Sequence, residues 1–293
     1  MMYSAEILRE IIARKMPAGL CVPEHTDKGH FYRIRTTVPV FMSTGIPIET
    51  STDVGELYSS VTTKLQVLKD EGLMNYKMNR ALDYVFANWK NINSENLQIE
   101  LERASKTSAD ILEDAGDVGT IIHDCREKYF REWIETGNRP DGATKFIPLE
   151  HYDIRIVSAL RALVKFVDEN NYQPVASELL VWSHKLKVAG TLDDIGLMNG
   201  KPVLMDIKSS NQFKDHYFFQ VALYFEMFRK LTGIKLDRCF ILKLSKEDGT
   251  YKIEDLYRPC RIAQYAGHML KTWEGLEFIR SLRKDNQKIV IKL

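Results

Sequence analysis

What most constrains this 293-residue chain is a pair of apolar runs joined by Asn199-Gly200. The first leads through Val188-Ala189-Gly190-Thr191-Leu192-Asp193, and the second is Val203-Leu204-Met205-Asp206-Ile207-Lys208. Asn-Gly between such runs predicts a tight hairpin, because both central residues of the turn need positive φ. Side chains alternate across a strand, so Asp206 and Lys208 are expected on one face, with Asp193 on the neighbouring strand. Two carboxylates and an ammonium on an otherwise apolar hairpin are costly to bury unless something pairs with them. A divalent metal would do so.

Composition narrows the class without naming a function. A hydrophobic fraction of 44% and a charged fraction of 28% are those of an ordinary globular protein. The formal net charge of +1 excludes a uniformly basic nucleic-acid coat, so contact with phosphates would need a local patch. Cys21, Cys125, Cys239 and Cys260 are far apart, with no CxxC, which argues against a zinc knuckle or a disulfide framework. No apolar run approaches a membrane span, and Glu6, Arg9, Glu10 and Arg14 interrupt the first twenty residues. A cytoplasmic protein with reduced thiols is expected, with no membrane partner.

Taken in order, the chain opens with a helix capped by Ser4 and running to about Lys15, followed by irregular strands and hairpins over 22–56. Leu57-Tyr58-Ser59-Ser60-Val61-Thr62-Thr63-Lys64-Leu65 passes into a helical pattern; its clustered hydroxyls fit an N-cap first of all, with a phosphate site as the alternative. Two helical stretches are predicted over about 75–105 and 107–134, the second carrying His123, which taken alone is the usual packed or surface histidine of a helix. Gly137 to Gly142 ends it, and a further helix covers 152–170. The first sheet strand is expected at 175–181, carrying Glu178, and the hairpin follows. After the polar loop Ser209-Ser210-Asn211-Gln212 comes a helix at 215–231 with Gln220 and Tyr224 at i and i+4. Strands at 236–244 and 251–256, a helix at 262–282 and an edge strand at Ile289-Val290-Ile291 complete the pattern. The fold class is α/β (α+β): a mixed central sheet flanked by helices and preceded by a helical arm. The divisions are 1–56, an arm over 57–150 that carries His123, and a core over 151–293, all within one integrated domain.

Asp193 and Asp206 on adjacent strands can face a hard cation, with the Ile207 carbonyl as a third protein ligand. A divalent ion lowers the pKa of a bound water and offsets charge on a phosphodiester oxygen; Lys208 beside it could orient the water or stabilise developing charge. Asp-x-Lys alone is a weak motif. Gly190-Thr191-Leu192-Asp193, then Asp206-Ile207-Lys208, then Gln220-Val221-Ala222-Leu223-Tyr224 is a far more specific sequence of motifs.

That order resembles the RecB-like branch of the PD-(D/E)xK nucleases, and Gly119-Thr120-Ile121-Ile122-His123 is similar to the helical histidine motif of that branch. Ser60-Val61-Thr62-Thr63 resembles a segment of the phage-type exonucleases, a group that includes the mitochondrial genome-maintenance exonuclease. The likeness spans roughly 57–255.

The resemblance implies a restriction-endonuclease-like core and a Mg2+- or Mn2+-dependent deoxyribonuclease, an exonuclease on single-stranded DNA or DNA ends serving replication, recombination or repair. His123, Asp193, Asp206 and the Ile207 carbonyl would hold the metal. Lys208 would be catalytic with the two aspartates. Gln220, Tyr224, Ser60, Thr62 and Thr63 would contact the DNA. Glu178 stands where many relatives carry an acid, with a solvent-facing strand acid as the alternative. Asp194 competes with Asp193, but the Gly-x-x-Asp spacing favours Asp193 and leaves Asp194 facing outwards or capping a turn. The cysteine spacing does not fit an iron–sulfur cluster. Tyr58, Tyr76, Tyr84, Trp89 and Trp133 could stack on bases, or pack in the core. Lys64, Lys185, Lys187 and Lys214 could supply the phosphate patch. A structure-specific endonuclease and a catalytically inactive DNA-binding subunit are the alternatives.

Overall fold

The computed structural model describes residues 3–26, 29–35, 55–65, 68, 71–210 and 213–290. Helix α1 (Ala5–Lys15) begins at Ser4, whose Oγ accepts the Ile7 N–H at 3.3 Å, and it turns Leu8 and Ile12 into the core. Strands β1 (Cys21–Thr26) and β2 (Gly29–Ile34) form an antiparallel pair, and β3 (Glu56–Ser60) adds antiparallel to β2. The sheet therefore starts well before the strand at 175. Most of the segment expected to be irregular, 36–54, lies outside the described residues.

A short helix α2 (Val61–Leu65) leads towards α3 (Glu71–Asn88) and α4 (Leu97–Thr136). The chain turns between these last two at Trp89–Asn96, so the helix expected over 75–105 is broken there. Asn93 and Asn96 cause the break: the Asn93 carboxamide oxygen accepts the N–H groups of Glu95 and Asn96, and that of Asn96 accepts the Asn93 N–H. With no breaker at 105–107, α4 runs unbroken for 40 residues, about 60 Å, to Gly137, which takes φ 70 as its left-handed cap. Helix α5 (Ile154–Glu169) is amphipathic and buries Ile156, Leu160, Leu163 and Val167.

Strands β4 (Tyr172–Ser183), β5 (Val188–Met198) and β6 (Lys201–Lys208) form the centre of the sheet. Asn199 and Gly200, at φ 50 and 76, make the predicted turn. Helix α6 (Asp215–Thr232) crosses over to β7 (Arg238–Leu244), which lies parallel to β6, and β8 (Tyr251–Asp255) closes that edge. Helix α7 (Pro259–Val290) is longer than expected, and the predicted edge strand at 289–290 is its last turn; Ile291 lies outside the described residues. The result is an open mixed sheet of eight strands, covered by α1, α6 and α7 on one face and by α4 and α5 on the other. No helix among the described residues is long and apolar enough to cross a membrane.

One detail of the sheet positions Asp193, Asp206 and Lys208. Strand β5 carries β4 along one edge for its whole length. Its other edge is shared: β6 pairs antiparallel from Met198 back to Asp194, while β3 pairs parallel at Val188 and Ala189. Between them, at Gly190–Asp193, the sheet forks.

Candidate active site

Beyond the pair Asp194↔Met205 the ladder between β5 and β6 stops, and a side chain takes its place: Asp193 Oδ2 accepts the Ile207 N–H at 2.6 Å. Asp193 is thus fixed at the fork by the strand that carries Asp206 and Lys208. Alternation along β6 sends Met205 and Ile207 into the core under α4 and α5, and Leu204 into the core under α6. Asp206 and Lys208 consequently share the α6 side, where Lys208 Nζ lies 2.7 Å from Asp206 Oδ2 and 5.1 Å from the centre of the Tyr217 ring. From the opposite face α4 brings His123, whose Nδ1 is 4.0 Å from Asp193 Oδ2. Helix and hairpin motifs distant in sequence therefore meet at the split in the sheet.

Burial grades the site from floor to mouth: the side chains are 2% exposed for Asp206, 13% for Asp193, 17% for Lys208 and 31% for His123. Burial pushes the Asp206 carboxyl up to about 7, against the pull of Lys208. Burial alone would also raise Asp193, but Arg126, His123 and Lys208 together hold it below the usual carboxylate range. Lys208 is the mirror case: burial lowers an ammonium, yet Asp206 and Asp193 outweigh that and raise it. His123 is pushed down to about 4 by burial, so its imidazole is neutral at physiological pH.

The residue that sequence reasoning missed is Arg126, one turn after His123 and with no exposed surface. Its Nη1 donates to Asp194 Oδ2 at 2.8 Å, to the Asp193 carbonyl at 3.0 Å and to Ser177 Oγ at 3.1 Å, while Nη2 donates to Glu178. The expectation that Asp194 faces outwards is overturned: it is completely buried and paired with this guanidinium. Glu178 is held at φ 52 opposite Asp193 and turns its carboxylate to Arg126 rather than to solvent alone. An arginine three residues after a helical histidine was the available signal, since a basic residue on a buried helix face needs an anion.

The Gln-x-x-x-Tyr pair lies beside Thr62 of the hydroxyl cluster. Gln220 Nε2 donates to Tyr224 Oη at 3.1 Å and reaches Thr62 Oγ1 at 3.4 Å. Tyr224 lies flush against β5 at Gly190: a Cβ there would stand 2.7 Å from its ring, which explains the glycine of Gly-x-x-Asp. Gly119 serves α4 similarly, because its absent Cβ would lie 3.2 Å from Ser209 Oγ, in the loop after Lys208. Ser60 is buried and its Oγ accepts the Thr62 N–H at 3.1 Å; Thr62 is exposed and Thr63 half-buried.

Other expectations fail. Lys64 is no surface phosphate ligand: it is 3% exposed, paired with Glu274 at 2.6 Å and stacked over Trp273. Lys187 is taken by Glu56. Tyr58 is fully buried and hydrogen-bonded to Glu56 and His184, so it stacks on nothing from outside. Of the polar loop, Asn211 and Gln212 lie outside the described residues.

A neutral imidazole and two carboxylates are the donor set of a hard or borderline divalent cation. Asp193 Oδ1 accepts no hydrogen bond among the described residues, and buried Asp206 Oδ2 meets Lys208 without hydrogen-bond geometry. The donors fit such an ion. They do not form a ready-made cage, however: no three His, Cys, Asp or Glu among the described residues converge closely enough.

No family model matches the chain, and no curated protein matches it. Among solved structures, one from Eubacterium rectale described as a "Putative exonuclease" is 16% identical, with 58% of this chain and 68% of that one covered at a TM-score of 0.37. An alkaline exonuclease from Laribacter hongkongensis is 15% identical, with 55% and 85% covered at a TM-score of 0.31. The mixed sheet, with Asp193, Asp206 and Lys208 gathered at its fork, is consistent with the PD-(D/E)xK arrangement expected from the motifs.

Proposed function

We propose that this protein is a Mg2+- or Mn2+-dependent deoxyribonuclease that hydrolyses phosphodiester bonds at DNA ends or in single strands. One observation carries the reading: the ionisable residues of three separate sequence motifs, on α4, β5 and β6, meet at one split in the sheet. His123, Asp193, Asp206 and the Ile207 carbonyl would hold the ion. When bound it would supply an activated water and charge compensation at the phosphate. Lys208, kept protonated by the two aspartates, is placed to donate to a phosphate oxygen as negative charge builds on it. Arg126 keeps the Asp193 backbone and Glu178 in position. Thr62, Gln220 and Tyr224 form a hydrogen-bonded line beside the fork that suits a sugar–phosphate backbone.

The preference for ends and single strands rests on depth. Asp206 and Asp193 are sunk below the surface, where an extended strand can reach them more easily than a stacked duplex. The middle of the arm is a poor DNA cradle: residues 95–117 carry seven carboxylates against two basic side chains.

The test is degradation of end-labelled oligonucleotides with Mg2+ or Mn2+, repeated with EDTA and with Lys208→Ala. Cleavage is expected only with the ion and the native lysine. Equal cleavage in both controls would overturn the mechanism, and cutting of a closed circular duplex would replace the end-directed reading by an endonuclease.

A further inference from the structure

A second concave site lies at the far end of the β4–β5 hairpin. Five residue steps along β5, from Val188 to Asp193, put it about 17 Å from Asp193. Here the hairpin end, α6 and α7 enclose a cavity of about 420 Å3, a size typical of ligand pockets. Its walls are apolar, from Trp182, Leu186, Leu223, Met227 and Leu231. Its rim is cationic. Lys185 and Lys271 are exposed and form no ion pair among the described residues, and His268 stands beside them. The one carboxylate at the cavity, Glu226, is already answered by Arg229 and Lys230, each at 3.0 Å. Nothing in the proposed hydrolysis uses these groups.

We propose that this cavity docks an acidic peptide segment of a partner protein, which inserts one apolar side chain and sets its carboxylates on Lys185 and Lys271. An apolar floor with uncompensated ammonium groups at its edge complements that chemistry in both shape and charge. A nucleotide fits less well. Trp182, the one Trp, Tyr or Phe ring lining the cavity, is only 7% exposed and its indole N–H is engaged by His184 at 3.3 Å, so its face is closed to a stacking base. The proposal stands independently of the nuclease reading.

Fluorescence anisotropy with a labelled Asp-Asp-Glu-Leu-Phe peptide tests it on the full chain without added metal. Saturable binding is expected, weakened by salt. The K185E/K271E variant changes only exposed side chains, and it should bind at least about tenfold more weakly, the loss expected from two surface charge contacts. Asp206→Asn, at the other site, should bind as the native protein does. The proposal is overturned if the Lys-Lys-Lys-Leu-Phe twin binds equally well, if K185E/K271E has no effect, or if no saturation appears by about 1 mM. It is likewise overturned if a thymidine oligonucleotide displaces the peptide and itself loses affinity in K185E/K271E, which would assign the cavity to nucleic acid.

Discussion

Replacing Arg126 by Met tests how the site is held together. The guanidinium is fully buried and is the partner of Asp194, whose side chain has no exposed surface. Methionine fills similar volume but leaves alone in the core a carboxyl that burial pushes well above the usual carboxylate range even against the pull of Arg126. Breaking a buried pair from one side costs about 3–5 kcal/mol, mainly through the charge left uncompensated. Glu178, 32% exposed, can turn to water and adds little. Against a typical total of about 5–15 kcal/mol the loss is large, and urea denaturation at pH 7.5 reads it directly. Two companions isolate the cause. In the double variant R126M/D194N the charge is gone, so most of the loss should return. The deficit of R126M alone should shrink as the pH falls, because a protonated Asp194 leaves no unpaired charge. A cost below about 1 kcal/mol, or a double variant no more stable than the single, would refute this account of the site.

The same geometry sets four further outcomes. Lys208→Ala should lower cleavage about 10²- to 10³-fold while leaving the circular dichroism spectrum unchanged, as removal of one charge-stabilising donor does elsewhere; near-native turnover would remove the lysine from the chemistry. Burial raises Asp206 to about 7, and metal binding needs its carboxylate, so Mn2+ affinity measured calorimetrically should climb with pH up to about 7 and then level off, with protons released at pH 6. Because its folded value lies above its ordinary one, the same group should make the metal-free protein less stable as pH rises from about 4 to 7, an effect absent in Asp206→Asn. Gly190→Ala would set a methyl 2.7 Å from the Tyr224 ring, and a loss of about 1–3 kcal/mol in thermal or urea unfolding is expected, with weaker DNA binding as Gln220 and Tyr224 shift.

Much of this protein was legible locally. Asn199-Gly200 specified its own turn because positive φ is a property of those two residues. The two-residue period placed Asp206 and Lys208 together, and the four-residue helical spacing did the same for Gln220 and Tyr224. Motif order was enough to gather His123, Asp193 and Asp206 into one hypothesis. Other features were invisible for definite reasons. Alternation along β5 could say only that Asp193 and Asp194 differ in direction; which of them is buried depends on Arg126, delivered by a helix some 70 residues earlier. Lys64 read as a surface charge because its partner Glu274 lies 210 residues away on α7. The fork itself is a matter of register between β3, β5 and β6, which no single strand encodes. Turns, faces and chemical inventory were set locally, since they depend on neighbours along the chain; which charges are buried together was settled by the packed fold, since that depends on which distant segments exclude water from one another.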